Sequence, residues 1–168
     1  MSPVVVLIGS PGAGKSSVGR RVAERLGVAF EDTDHMIEAE ARMSISDIFV
    51  TNGEDEFRRM EADSVRRALQ DCDGVLALGG GAVMRTETQE LLAGHLVVWL
   101  KVSVSDAAQR VGMNQARPLL LGNVRGTLSA LLDKRNPVYE QVATVVVDTT
   151  GKSLRDVVDE VEGAVRSE

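Results

Sequence analysis

The chain predicts an α/β fold: a parallel sheet with helices on both faces, in a single domain spanning residues 1–168. Two observations lead to it. Short apolar, β-branched runs alternate along the sequence with stretches whose apolar residues recur at helical spacing. In addition, the first and third of those runs end in glycine clusters, where a backbone comes close to a ligand in such folds.

Val4-Val5-Val6-Leu7-Ile8 is continuously apolar and stops at Gly9, as a strand buried on both faces does. From Gly14 to Leu26 the residues Val18, Val22 and Leu26 recur every fourth position, and Gly27 ends that helix. Val28 to Glu31 reads as a short strand. Gly53 to Leu69 is helical, with Phe57, Met60, Ser64, Val65, Ala68 and Leu69 on one side. Val75 to Leu78 is a buried strand that runs into Gly79-Gly80-Gly81. Leu96 to Val102 and Thr144 to Val147 are further strands. The last helix carries Leu154, Val157, Val158, Val161 and Val165 as its stripe, with Ser153 as its cap.

Composition narrows the function. The chain has 168 residues, 43% of them hydrophobic and 26% charged, with a net charge of −6. That acidic balance argues against a general binder of nucleic acid or of membrane surfaces. The single cysteine, Cys72, excludes an internal disulfide, and two histidines leave little for a zinc site. Met1-Ser2-Pro3 lacks the basic start of a signal peptide, and Val4 to Ile8 is too short to span a bilayer. A cytoplasmic location is therefore expected. Aromatics are 3% of the chain, so Trp99, within a strand, reads as core. His35 reads as a cap or surface group, and His95 as structural.

Gly9-Ser10-Pro11-Gly12-Ala13-Gly14-Lys15-Ser16 fits the phosphate-binding pattern G-x-x-x-x-G-K-[ST], between an apolar strand and an amphipathic helix. Its glycines let backbone N–H groups converge on phosphate oxygens, and the helix N-terminus adds its positive dipole end. Lys15 can reach the β- and γ-phosphates, and the Ser16 hydroxyl can ligate Mg2+. A dinucleotide fingerprint fails here because Ser17 occupies its third glycine position.

Asp32-Thr33-Asp34 follows the second strand. In extended chain, residues i and i+2 face one side, so both carboxylates are expected toward the ligand: one for a metal-bound water, one for a substrate hydroxyl. The competing reading is an acidic turn that caps a helix beginning near His35. Arg58 and Arg59 beside Phe57, Arg117 in the glycine-bearing stretch Gly112 to Gly126, and Arg135 before Asn136-Pro137 can grip carboxylate or phosphate.

In order and spacing, Gly9 to Ser16, Asp32-Thr33-Asp34, Phe57-Arg58-Arg59, Leu78 to Val83, Arg117-Pro118-Leu119-Leu120 and Arg135 to Tyr139 resemble the shikimate kinases, small P-loop kinases related to the nucleoside-monophosphate kinases. The resemblance implies a three-layer P-loop kinase fold with a five-stranded parallel sheet in order 2-3-1-4-5 and a mobile lid at about residues 112–126. It implies ATP-dependent phosphorylation of the shikimate 3-hydroxyl, with Mg2+ as cofactor and a monomeric enzyme. Asp34, Arg58, Gly80 and Arg135 would hold shikimate, with Phe49 and Phe57 lining the pocket. Gly12, Ala13, Gly14, Lys15, Ser16 and Ser17 would cradle ATP, and Ser16 and Asp32 would serve Mg2+. Lys15, Asp34 and Arg117 would be catalytic, with Arg117 reaching the phosphates from the lid. Lys152 stands where the family often carries an arginine beside adenine.

The alternatives are another small-molecule kinase, for gluconate or a nucleoside monophosphate, and a GTPase-type switch. Against the switch, Asp71-Cys72-Asp73-Gly74 precedes a strand instead of following one, and no N-K-x-D motif occurs.

Overall fold

The computed structural model describes residues 2–113 and 124–168. Five parallel strands, β1 (Val5–Ile8), β2 (Phe30–Asp32), β3 (Val75–Ala77), β4 (Val97–Lys101) and β5 (Val145–Asp148), lie in the order β2-β3-β1-β4-β5. β1 is central, with Val6 opposite Leu76 on one side and Val97 on the other. Both faces of the central strands are buried, which is why their sequences are uniformly apolar.

Alternate strand residues build two cores. Val5, Leu7, Val98 and Leu100 face Val18 and Val22 of α1 (Lys15–Leu26) and Val157, Val158 and Val161 of α8 (Leu154–Arg166). Val6, Ile8, Leu76 and Trp99 face Val65, Ala68 and Leu69 of α4 (Glu54–Asp71), Leu92 of α5 (Thr86–Leu92) and Tyr139 of α7 (Val124–Val142). Trp99 is a core residue, as expected. A third cluster, Ile37, Ile48 and Phe57, joins α4 to α2 (Thr33–Ala41) and α3 (Ile45–Asn52). Helix α6 (Val104–Met113) packs beside α7. Ser153 caps α8 by accepting from the Asp156 N–H at 3.1 Å.

Three expectations change. The second strand begins at Phe30, because the left-handed Gly27 (φ 69°) turns Val28 back to donate to the Ala23 carbonyl. The next helix begins at Thr33, because Asp32 is its N-cap and accepts from the Asp34 N–H at 2.8 Å. Asp32 alone of the acidic pair caps this helix; Asp34 lies in its first turn, and neither is fully exposed as in a solvated acidic turn. Gly112 and Gly126, the ends of the expected lid, lie inside α6 and α7.

Candidate active site

Three loops at the carboxyl ends of β1, β3 and β2 form the site. After β1 the chain turns through Gly14, whose left-handed conformation (φ 89°) opens α1 and would strain any other residue. Lys15 bends back, its Nζ donating to the Gly9 carbonyl at 2.6 Å and the Ser10 carbonyl at 3.1 Å. Burial pushes its pKa down to about 8, against the attraction of Asp34 and Asp32. The Ser16 hydroxyl donates to Asp32 Oδ2 at 3.2 Å. Asp32 therefore does two jobs, with Oδ1 capping α2 and Oδ2 turned to the P-loop.

Asp34 is in the first turn of α2 and reaches over β3's exit. Its Oδ1 would be 2.6 Å from a Cβ placed on Gly79, so any larger residue there would push the carboxylate from its place. Burial, then the negative charges of Asp32 and Glu61, raise the Asp34 pKa to about 6, while Lys15 pulls it down. The two acids converge as expected, by way of a helix cap instead of an extended strand.

The glycine loop also sets the arginines. A Cβ on Gly81 would stand 2.7 Å from Arg58 Nη1 and 3.0 Å from Arg135 Nη2. Two guanidinium groups from α4 and α7 thus meet on one stretch of bare backbone. Arg58 Nη1 donates to Glu61 Oε1 at 2.7 Å, and burial raises the pKa of Glu61, opposed by Arg58. One cavity of about 480 Å³ holds Lys15, Ser16, Ser17, Asp32, Asp34 and Gly80. A second, about 430 Å³, is lined by Arg58, Glu61, Gly81 and Arg135 among others.

Phe49 and Phe57 stack with ring centroids 4.7 Å apart in the cluster shared by α2, α3 and α4. Neither lines these two cavities. Phe57 meets the site through Arg58, whose Cζ is 5.3 Å from its ring centroid. Lys152 lines a smaller groove of about 270 Å³ with Ala13, Gly14, Ser17 and Arg110, and pairs with Glu160 at 2.8 Å. Arg117 lies outside the described residues, as does most of the expected lid.

Three residues escaped sequence reading. Arg110 of α6 donates from Nη1 to the Gly12 carbonyl at 2.8 Å, bracing the P-loop. Glu61 is buried against Arg58; its signal was the i,i+3 spacing on α4. Tyr139 donates its hydroxyl proton to the Gly80 carbonyl at 2.6 Å. It is four residues from Arg135, on the same helix face.

A P-loop opening a helix on a parallel sheet, an acidic pair beside it and arginines on an adjacent glycine loop define a P-loop kinase with an anionic acceptor. Comparison with known proteins identifies which one. A family model described as shikimate kinase matches residues 11–166. The chain is 55% identical over 148 residues to the shikimate kinase of Thermobifida fusca (strain YX), covering 88% of this chain and 86% of the relative. With the shikimate kinase of Salinispora arenicola (strain CNS-205) the identity is 50% over 161 residues, 96% of each. A shikimate kinase from Acinetobacter baumannii, solved in complex with shikimate, superposes with a TM-score of 0.91 at 35% identity, covering 99% of this chain and 94% of that one. A gluconokinase from Sinorhizobium meliloti 1021 shares the fold at a TM-score of 0.59 and 21% identity, covering 97% of this chain and 91% of that one. The chain belongs to the shikimate kinase family, whose members transfer phosphate from ATP to a shikimate hydroxyl.

Proposed function

We propose that the acceptor is the shikimate 3-hydroxyl, held by Asp34, Arg58, Arg135 and the Gly80 backbone. The observation carrying this reading is the meeting of Arg58 and Arg135 at Gly81, where a Cβ would stand 2.7 and 3.0 Å from their guanidinium nitrogens. Two forked cations on one spot suit a single carboxylate. Asp34, on the P-loop side, orients the attacking hydroxyl. As the new O–P bond forms and the bond to the β-phosphate oxygen breaks, the hydroxyl proton passes to Asp34. A carboxylate with a pKa of about 6 accepts that proton more readily than an ordinary aspartate.

Lys15 supplies positive charge where the γ-phosphoryl group spreads negative charge. Its carbonyl partners at 2.6 and 3.1 Å belong to the same loop, so swinging to a phosphate exchanges neutral acceptors for a charged one. Gly12 to Ser17 receive the ATP phosphates, and Lys152 with Arg110 flanks the groove beyond Gly14, suited to the nucleoside. Arg117 enters this proposal from its motif alone, as a further cation on the phosphates.

The donors also fit Mg2+. Ser16 Oγ and Asp32 Oδ2 are adjacent hard oxygens, 3.2 Å apart, at the phosphate site. Among the described residues no three His, Cys, Asp or Glu side chains gather into a protein cage; Mg2+ in kinases takes most of its ligands from phosphate and water. Ser16 and Asp32 would hold it, and when bound it neutralises charge on the phosphate oxygens.

No helix among the described residues is long and apolar enough to cross a membrane; we place the enzyme in the cytoplasm. A coupled assay with ATP, Mg2+ and a panel of shikimate, gluconate and nucleoside monophosphates tests the reading. Turnover of shikimate with product phosphorylated at the 3-position supports it. Turnover of another panel member without shikimate overturns it.

A further inference from the structure

Arg135 and Gly80 come from segments more than fifty residues apart, and one buried side chain touches both. Tyr139 is fully buried, packed on Trp99 with ring centroids 5.7 Å apart, so its ring cannot shift without disturbing the core. From that fixed ring the hydroxyl donates to the Gly80 carbonyl at 2.6 Å. Burial raises the phenol pKa, so the donor proton is retained across the working range. The Arg135 guanidinium lies close enough to the same oxygen to oppose that rise.

Two consequences follow. No peptide bond among the described residues is cis, so the Gly80 carbonyl and Gly81 N–H point in opposite directions. Anchoring the carbonyl on Tyr139 therefore also fixes the Gly81 N–H, directed away from the phenol. Meanwhile Arg135 is held against the same glycines, with Nη1 and Nη2 each 3.0 Å from the Cβ positions of Gly80 and Gly81. The i,i+4 spacing on α7 makes this possible.

We propose that Tyr139 is a positioning residue for acceptor recognition: its hydroxyl locks the Gly80–Gly81 peptide and the Arg135 guanidinium into one arrangement that receives the substrate carboxylate. This rests on the reading that Gly80 and Arg135 hold the acceptor. Tyr139 touches no substrate itself, and its hydrogen bond goes to the glycine loop rather than to a P-loop residue, so its influence falls chiefly on the acceptor.

The test is Tyr139→Phe in the full-length enzyme, alone and combined with Arg135→Ala. Calorimetry gives shikimate and ATP dissociation constants, and steady-state kinetics give kcat at saturating shikimate. Removing one neutral hydrogen bond should weaken shikimate binding about three- to tenfold. ATP affinity and kcat should stay within about twofold, because those interactions are made elsewhere. In the Arg135→Ala background one of the two groups the hydroxyl holds is gone while its bond to the Gly80 carbonyl remains, so Tyr139→Phe should cost clearly less than it does in the parent. Unchanged shikimate affinity in Tyr139→Phe overturns the proposal. So does a parallel loss of ATP affinity and kcat, which marks general loosening, or full additivity with Arg135→Ala. Normal shikimate binding by Arg135→Ala alone instead sinks the site reading beneath it.

Discussion

Asp34 offers the sharpest test, because the structure makes it harmful to stability and necessary to activity. Its carboxyl is held at a pKa of about 6 against an ordinary 3.8, first by burial and then by Asp32 and Glu61. A gap of about two units corresponds to ~3 kcal/mol between its ionised and neutral forms. That is an upper value, since the pocket relaxes and water enters it; about 1–3 kcal/mol is expected. Asp34→Asn keeps the shape and removes the charge. In a domain of this size ~1 kcal/mol moves the midpoint about 2–4 °C, so the ligand-free variant should melt about 3–10 °C above the parent at pH 7.5.

The sign with pH is fixed by linkage. The native state binds the extra proton between the unfolded value of 3.8 and the folded value of about 6. Parent stability therefore falls through that window relative to Asp34→Asn, and the difference is constant above it. Near and below pH 3.8 the two proteins should converge. Thermal melts of both proteins across the pH range measure this, alongside turnover, which should fall about 10²-fold or more if Asp34 takes the proton. A variant that melts below the parent at pH 7.5, or a gap that widens toward acid, would refute the burial argument. Near-parental turnover would remove Asp34 from the chemistry.

Lys15→Met should lower single-turnover phosphoryl transfer about 10²–10³-fold. It should also abolish the rise in stability contributed between pH 8 and 10.5, where the folded protein binds fewer protons than the unfolded chain; melts in alkaline buffers check this. Arg58→Ala leaves the acceptor carboxylate underpaired and Glu61 without its 2.7 Å partner. Shikimate affinity should drop about tenfold to a hundredfold with ATP affinity unchanged, read by calorimetry. Arg117→Ala should reduce turnover more than shikimate binding, because its charge serves the phosphates; unchanged single-turnover rates would exclude it.

What was legible in the sequence was whatever the backbone had to satisfy. Gly9 to Ser16 and Gly79 to Gly81 announce themselves because their glycines meet a left-handed backbone at Gly14, a backbone carbonyl at Gly9 and crowded functional side chains at Gly79 to Gly81, and buried parallel strands announce themselves as apolar runs. Asp32 was legible as an acid and as part of a helix-capping turn, but the start of that helix at Thr33 was not, since it carries few buried residues, Thr33 and Ile37. Arg110, Glu61 and Tyr139 were not legible as site residues. Each acts from a helix face whose direction is set only when that helix docks on the sheet. In α7, Pro137 also interrupts the pattern that would have announced a 19-residue helix.

The strand order is what turns separated motifs into one site. Neighbouring parallel strands stand about 4.8 Å apart, so the ends of three adjacent strands span roughly 10 Å, the scale of a phosphate chain meeting a six-membered ring. β2, β3 and β1 are adjacent in the sheet. Their carboxyl ends carry Asp32 with Asp34, Gly79 to Gly81, and the P-loop. The next connection leaves β3 and crosses to β4 on the far side of β1, which opens a crevice at the change of direction. Through α6 that side returns Arg110 to the P-loop at 2.8 Å. Helix α7 then brings Arg135 and Tyr139 back across the second face of the sheet to the glycine loop. Phosphate donor and acceptor thus meet over β1 and β3, because the chain visits the central strands first and third and supplies the acids from the edge strand between those visits.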